Sequence, residues 1–199
     1  LFYIMKKMKI KNVIIGEQYE TYENYEEFLE IVKEKKTNVK VVNAESKIKI
    51  EDKLYFDVIW PNKKNMISKN AINNNSLVCK LVYKDFSMLF TGDIEEVAEK
   101  AILSEYGRTG ANILNSTILK VAHHGSKTSS TIEFINAVNP KYALIGVGKN
   151  NKFGHPSDIT ISNLQSLNVQ IYRTDQVGEI MIKTNGEKCK IEKFINQRK

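Results

Sequence analysis

The segment Leu119-Lys-Val-Ala-His-His-Gly-Ser126 contains the change of pattern that decides how this chain folds. Its apolar start belongs to a run from Ile118 to Ala122 that has the length of a buried strand. Two histidines and small polar residues follow, and a helix is predicted from Thr131 to Val138. Strand, polar loop and helix in this order are typical of layered α/β proteins, whose ligand-binding groups lie in loops at strand ends.

The same alternation is predicted on both sides of this segment. Upstream, residues 11–42 read as a strand-helix-strand unit, with Asn24 as the N-cap of its helix. The remaining predicted elements are strands at 48–50, 54–60, 76–83, 86–90, 142–147 and 169–172, helices at 1–10, 94–106 and 158–167, and a closing hairpin within 178–195. No repeat or linker interrupts the series, so we predict a single α/β domain over residues 1–199, with mixed sheets and outer helices.

Composition excludes several classes of protein. The chain has 199 residues, 42% hydrophobic and 27% charged, which is the profile of a soluble globular domain. It contains no apolar stretch long enough to span a bilayer and no visible signal peptide. Its two cysteines, Cys79 and Cys189, are predicted to be free thiols. The predicted location is the cytoplasm, and the alternative is a soluble domain of a membrane-anchored protein.

The net charge of +7 permits a polyanionic partner but does not identify one. Lysine greatly outnumbers arginine, which is as typical of an AT-rich genome as of a protein that binds DNA. The net charge is therefore weaker evidence about function than the sequence motifs are.

All three histidines of the chain follow apolar strands, in loops that contain glycine. His123 and His124 follow one predicted strand and His155 the next, while Asp93 occupies a similar position after the strand that ends at Phe90. Carboxylate and imidazole groups offered from neighbouring strand ends suit zinc, manganese or iron. The pattern therefore predicts a metal site. Other chemistries lack their motifs, because the chain has no Gly-x-Ser-x-Gly elbow, Walker A loop or Gly-x-Gly-x-x-Gly segment.

Six segments spread along the chain carry a resemblance to one known family. They are Asn73-Asn-Asn-Ser76, Leu89-Phe-Thr-Gly-Asp-Ile94, Leu119-Lys-Val-Ala-His-His-Gly-Ser-Lys-Thr-Ser129, Asn139-Pro-Lys-Tyr-Ala143, Gly148-Lys-Asn-Asn-Lys-Phe-Gly-His-Pro-Ser157 and Tyr172-Arg-Thr-Asp175. Together they resemble the metallo-β-lactamase-fold hydrolases, and within that family the branch formed by the C-terminal domains of ComEC-type DNA-uptake proteins and their free-standing relatives. The resemblance extends from Val13 to Ile182.

The resemblance implies an αββα sandwich of two mixed sheets with outer helices. The family's first metal motif, His-x-His-x-Asp-His, is absent from the chain. In relatives that motif lies just before the helix with which this chain starts. We therefore expect Leu1 to follow the motif directly, and we expect the first strands of the fold to be missing from this sequence.

The resemblance also implies roles for individual residues. Asp93 matches the aspartate that bridges two metals, and His124, more than His123, matches the ligand of the second metal. The other of these two histidines would face the scissile group, and His155 would bind metal or hold a substrate oxyanion. Contacts with the substrate are expected from Asn75, which stands where many relatives have a histidine ligand, and from Ser126 and Lys127.

The function implied is hydrolysis of phosphodiesters by a hydroxide shared between two divalent ions, zinc or manganese, with single-stranded DNA as the candidate substrate. The alternative is a catalytically inactive scaffold that binds nucleic acid or a protein partner. Because the described motifs supply at most four ligands, the chain by itself is expected to bind metal weakly and to hydrolyse little.

Overall fold

The computed structural model describes residues 2–18, 24–107 and 113–195 of the chain. In chain order its elements are α1 (Phe2–Lys7), β1 (Asn12–Gly16), α2 (Tyr25–Lys35), β2 (Asn38–Val42), β3 (Lys47–Glu51), β4 (Leu54–Trp60), α3 (Ala71–Asn74), β5 (Val78–Tyr83), β6 (Phe86–Phe90), α4 (Glu96–Tyr106), β7 (Ile118–Lys120), a 3-10 turn (Ala122–Gly125), α5 (Ile132–Val138), β8 (Tyr142–Ile145), α6 (Asp158–Ser166), β9 (Gln170–Arg173), α7 (Thr174–Val177), β10 (Ile180–Thr184) and β11 (Cys189–Lys193).

The centre of the molecule is a seven-stranded mixed sheet in which β3 to β9 lie side by side in chain order. Strands β3 to β6 are antiparallel to one another, whereas β6 to β9 are parallel. In the parallel half the carboxyl ends of the strands meet at one edge, since Phe90 pairs with Lys120 and Lys120 with Leu144. The loops that follow β6, β7 and β8 therefore start next to one another.

The two faces of the sheet are covered differently because successive residues of a strand point to opposite sides. On one face, Leu89 and Leu119 belong to the main core, to which helices α4, α5 and α6 contribute. On the other face, Met88 and Ile118 pack against Ile182 and other apolar residues of the β10–β11 hairpin. The parallel strands are consequently buried on both sides, which gives the loops at their ends a rigid base.

A smaller unit is formed by the parallel pair β1–β2 with helices α1 and α2. Met5 of α1 and Phe28 and Ile31 of α2 are its buried residues, and they match the apolar stripe of the predicted helices. The chain then passes to the central sheet, where the Ala44 N–H donates to the Pro61 carbonyl at the end of β4.

The mixed α/β architecture with a large mixed sheet and helices is confirmed. The second mixed sheet of an αββα sandwich stays a prediction, because the described residues form two separate two-stranded sheets, β1–β2 and β10–β11, beside the large one. Within the described ranges, no helix has the length and apolar character needed to cross a membrane. Three short elements were not predicted: α3, α7 and the 3-10 turn. Each has only four residues, which is too few to show a periodic pattern.

Candidate functional site

The four residues predicted to bind metal all lie in the loops at the carboxyl edge of the parallel strands. Asp93 is in the loop after β6, His123 and His124 are in the 3-10 turn after β7, and His155 is in the loop after β8. The predicted gathering of these groups follows directly from the parallel order of the strands.

The backbone of the turn after β7 is strained. His123 and His124 have φ angles of 46° and 56°, and Gly125 continues at 84°. Side chains other than glycine avoid this left-handed region, at a cost of roughly 1–3 kcal/mol for each residue held there. Gly125 is required at its position, because a Cβ atom there would lie 2.6 Å from the Cβ of Pro156. Two consecutive strained histidines are typical of a site at which orientation matters more than local stability.

The loop after β6 is joined to this turn by backbone hydrogen bonds. The N–H of His123 donates to the carbonyl of Gly92 over 3.0 Å. Gly92 has φ 55°, and a Cβ there would lie 2.6 Å from the Cβ of Ser76. The next residue, Asp93, donates its N–H to the Ser76 hydroxyl at 3.2 Å. Asp93 is thus oriented by its backbone, while its carboxylate is left to face the histidines.

Asp93 and His124 form an exposed carboxylate–imidazole pair. Asp93 Oδ1 and His124 Nε2 are 3.9 Å apart, and each side chain is about half exposed, at 46% and 54%. On its other side, His124 Nδ1 lies 2.6 Å from the Gly146 carbonyl. Since a carbonyl only accepts hydrogen bonds, Nδ1 carries the proton and the lone pair of a neutral ring is on Nε2, towards Asp93. Histidines that ligate metals are commonly held in this way.

His123 lies deeper than His124 and faces a different carboxylate. Its side chain is 25% exposed, and its Nδ1 is 3.9 Å from Glu95 Oε1, beyond hydrogen-bond distance. This nitrogen is buried without a hydrogen-bond partner. The ring packs edge-on against His155, with ring centroids 5.7 Å apart. His123 therefore belongs to a buried pair with Glu95, whereas His124 belongs to the exposed pair with Asp93.

Glu95 is a site residue that the sequence analysis missed. Its carboxylate accepts hydrogen bonds from Asn70 Nδ2 at 2.9 Å, Thr128 Oγ1 at 3.1 Å and Asn74 Nδ2 at 3.3 Å. Burial raises the pKa of Glu95, but these hydrogen bonds and the nearby His123 outweigh that effect and lower it overall. The only signal in the sequence was an acidic residue two positions after Asp93, and helix N-termini often carry one.

His155 closes the site from the loop after β8. Burial lowers the pKa of its imidazole, and the neighbouring His123 and His124 lower it further. The neutral ring is therefore favoured at physiological pH. Its position is fixed by Asn151, which accepts from the His155 N–H at 2.9 Å and donates to the His155 carbonyl at 2.7 Å.

Lys120 is a second residue that the sequence analysis missed. It ends β7, and its ammonium group donates to the Val121 carbonyl at 3.0 Å. A Cβ atom at Gly146 would lie 4.0 Å from Lys120 Nζ. Burial lowers the pKa of Lys120, and the negative charge of Asp93 opposes that effect. A largely buried cation therefore lies close to the exposed pair.

The three residues predicted to contact substrate have different surroundings. Asn75 is fully buried, and its amide bonds the backbone of Ile67 and Ala71. These bonds already occupy the amide, and the predicted contact of Asn75 with substrate stays a prediction. Ser126 is also buried, with its hydroxyl 3.0 Å from that of Thr128. The hydroxyl helps to hold the turn in shape, and the predicted contact of Ser126 with substrate stays a prediction. Lys127 is exposed and stays a candidate.

The described residues do not by themselves fit a two-metal centre. Across 2–18, 24–107 and 113–195, no group of three or more His, Cys, Asp or Glu side chains could hold a metal ion. Asp93 and His124 can supply two metal ligands, since the carboxylate oxygen and the imidazole nitrogen face each other. Catalytic zinc sites take three or more ligands from the protein. His123 does not complete the set, since its orphaned Nδ1 faces Glu95.

Comparison with known proteins finds four curated relatives, two of which are competence proteins that match over most of this chain. Over 177 residues the chain is 32% identical to ComE operon protein 3 of Bacillus subtilis, covering 89% of this chain and 22% of that protein. Over 153 residues it is 29% identical to competence protein ComA of Neisseria gonorrhoeae, covering 74% and 21% respectively. The chain thus spans about a fifth of the length of the relatives that it matches.

No protein-family model matches the chain. Among solved structures, a candidate metal-dependent hydrolase from Parabacteroides distasonis superimposes with a TM-score of 0.47 and 11% identity, over 86% of this chain and 79% of that one. A similarity of this size carries no functional argument.

Proposed function

This chain is homologous to part of the ComEC-type competence proteins, and on that premise we propose that it forms a hydrolytic domain that cleaves phosphodiester bonds in nucleic acid. The observation that carries the proposal is the exposed pair of Asp93 and His124, whose facing atoms are 3.9 Å apart. The pair is half exposed and is held in place from behind by Gly146 and Ser76. Such an arrangement suits an oxygen-rich substrate or a cation that comes from solvent.

In this proposal His123 transfers the proton. Its Nδ1 lies 3.9 Å from the Glu95 carboxylate on the buried side of the site, which leaves Nε2 as the nitrogen that can meet the substrate. The ring can thus take a proton from the attacking water through Nε2 and later deliver it to the leaving oxygen, which balances the hydrolysis of a phosphodiester. General acid–base catalysis of this kind is worth about 10² to 10⁴ in rate.

His155 is proposed to hold the phosphoryl group. A neutral imidazole can donate one N–H to a phosphoryl oxygen without adding a competing positive charge next to His123. The ammonium group of Lys120, which interacts electrostatically with Asp93, adds positive charge that favours an anionic substrate at this edge of the sheet.

Zinc or manganese, which the resemblance implies, would require ligands from outside the described residues. Asp93 and His124 are the two residues of this chain that we assign to such an ion, and the metal would act as a Lewis acid at the reacting phosphate.

The presence of only two metal ligands among the described residues also favours a second function, a scaffold that binds nucleic acid without cleaving it. Two ligands are too few for efficient metal-dependent catalysis, but such a site can still bind a ligand. The relatives are named as competence proteins, and binding of DNA would suit that process as well as hydrolysis.

The test is cleavage of a 5′-labelled single-stranded DNA by protein expressed from the complete reading frame, with zinc or manganese added. We expect cleavage by the wild type and by the control Asp85→Asn, whose exposed carboxylate lies in a hairpin turn. We expect none from Asp93→Asn. Binding without cleavage would support the scaffold function instead. Cleavage that survives in Asp93→Asn to within tenfold would overturn the assignment of the site.

A further inference from the structure

Phe153 is the most exposed of the large apolar side chains in the described ranges, at 81%. Burial of a phenyl ring contributes strongly to stability, so a ring left almost entirely in water calls for an explanation. The ring is not loose, because one of its faces stacks on the imidazole of His155, with centroids 5.9 Å apart and planes 18° from parallel. Its other face is open to solvent.

The loop that carries Phe153 is held rigid by a single side chain. Asn151 Oδ1 accepts from the N–H groups of Phe153 at 3.2 Å and His155 at 2.9 Å. Its Nδ2 donates to the carbonyls of Gly148 at 3.1 Å and His155 at 2.7 Å. These four hydrogen bonds of one amide hold the backbone of the loop, and the stack on His155 orients the ring before any ligand arrives.

Phe153 lines a cavity of about 400 Å³ together with His124 and His155 of the candidate site. Gly146 and Gly148 are also part of the lining, and they leave it open because they carry no side chain. A flat ring that enters beside Phe153 would thus lie within reach of His124 and His155.

Three exposed lysines lie on the loops beside the cavity. Lys127 follows the 3-10 turn, and Lys149 and Lys152 lie in the loop after β8. Residues 146–157 of that loop contain no Asp or Glu, and the carboxylate that faces His124 of the cavity is Asp93, at 3.9 Å. Lysines at this density attract a phosphate backbone, and an aromatic platform beside them is how proteins bind unpaired bases without regard to sequence.

We propose that Phe153 is the stacking platform for an unpaired base of a single-stranded nucleic acid, next to the phosphate at the candidate site. The inference rests on the proposed function, which it deepens by naming the side chain that would hold an unpaired base of the substrate. A duplex is disfavoured because its bases are already stacked on one another and cannot reach the ring.

The test uses binding alone, so that it does not depend on catalysis. Fluorescence anisotropy with EDTA present would compare a labelled oligothymidine strand with an abasic strand of the same length and with a duplex. The variants are Phe153→Ala, Phe153→Trp and Asn151→Ala. The matched control is Phe194→Ala, which removes a ring that is 79% exposed and does not line the cavity. Circular dichroism would verify that every variant is folded.

We expect the wild type to bind oligothymidine about tenfold more tightly than the abasic strand, and both more tightly than the duplex. Phe153→Ala should lose this tenfold preference, with little change towards the abasic strand. Phe153→Trp should keep the preference, Asn151→Ala should lose part of it, and Phe194→Ala should leave it unchanged.

An equal loss of affinity for both strands in Phe153→Ala, no loss at all, or a preference for duplex would each overturn the inference. If base-dependent binding is found but the complete protein cleaves nothing, the proposed hydrolysis fails and the stacking platform stands. If cleavage depends on Asp93 but binding ignores the bases, the platform fails and the hydrolysis stands.

Discussion

His123 Nδ1 and Glu95 Oε1 lie 3.9 Å apart on the buried side of the site. The imidazole nitrogen has no hydrogen-bond partner, and the carboxylate is held by two asparagines and a threonine. The polar network therefore exists to keep Glu95 ionised and facing His123. The strained turn and the loop after β6 are coupled through this pair as well as through their backbone.

Substitution of Glu95 should reduce stability in a pH-dependent way. Glu95→Gln places an amide N–H against groups that are themselves donors, so we expect a loss of about 1–3 kcal/mol at pH 7. The pKa of Glu95 is lowered in the folded protein, so its stabilisation is complete above the unfolded value of about 4.3 and is lost as the pH falls towards the folded value. Urea unfolding at several pH values would measure this. The control Glu187→Gln changes an exposed carboxylate, and equal stability of both variants at pH 7 would contradict the role of Glu95.

The 199-residue chain should bind zinc or manganese weakly, at one site. Asp93 and His124 supply two ligands, and each is half exposed, so binding must compete with water. Isothermal titration calorimetry would measure the affinity. Asp93→Asn should abolish binding while it changes the melting temperature little, because the Asp93 side chain is only partly buried. Two tight sites with hydrolytic turnover would show that the ligand count derived above is wrong.

The two adjacent histidines should differ in what they contribute. His124→Ala should weaken metal binding by the 199-residue chain, since the Nε2 lone pair of His124 faces Asp93. His123→Ala should leave metal binding nearly unchanged. In protein expressed from the complete reading frame it should reduce turnover by about 10² or more, because its Nδ1 faces Glu95 instead. Equal loss of metal from both variants would refute this division.

Replacement of Lys120 should change how stability depends on pH. Burial lowers the pKa of Lys120, so the folded state holds this proton less firmly than the unfolded state. Wild-type stability consequently rises, relative to Lys120→Met, as the pH increases from the folded pKa to the unfolded value of about 10.4. At pH 7 the two should agree to within about 1 kcal/mol, since the side-chain volumes are similar. Unfolding by urea between pH 7 and 10.5 would measure the difference.

The control is Lys40→Met, which introduces methionine at an exposed position. A difference in the free energy of unfolding between Lys120→Met and the wild type that stays constant over this pH range would argue against a buried cation.

Cys79 should react slowly with thiol reagents. Burial raises the pKa of its thiol to about 11, so only about one molecule in a thousand carries the thiolate at pH 8. In Cys189→Ser, where Cys79 is the remaining cysteine, we expect modification by a disulfide reagent to be at least a hundredfold slower in the folded chain than in guanidinium chloride. Similar rates in both conditions would mean that the thiol is open to solvent.

Strand positions could be predicted from the sequence wherever an apolar run had clear ends. The run from Leu54 to Trp60 is β4 with both of its boundaries, and Pro61 ends it as expected. The closing hairpin around Asn185-Gly186 is confirmed as β10–β11. In contrast, the polar stretch at 62–75 did not reveal the helix α3, although its last residue Asn74 and the following Asn75 are fully buried. A local sequence pattern predicts that asparagine lies at the surface. It cannot reveal the hydrogen bonds that allow an asparagine to be buried.

The sequence by itself determined which groups gather at the candidate site. Each of three apolar strands is followed by a loop that carries site residues: Asp93, then His123 and His124, then His155. These loops come together once the strands are parallel neighbours. Only the tertiary structure decided how the groups are paired: His124 with Asp93, His123 with Glu95, and Phe153 on His155. The physical reason is that the two features have different causes. The strands form by hydrophobic burial, which the local sequence pattern indicates. The direction of a polar side chain depends instead on backbone strain and on hydrogen-bond partners that are distant in sequence.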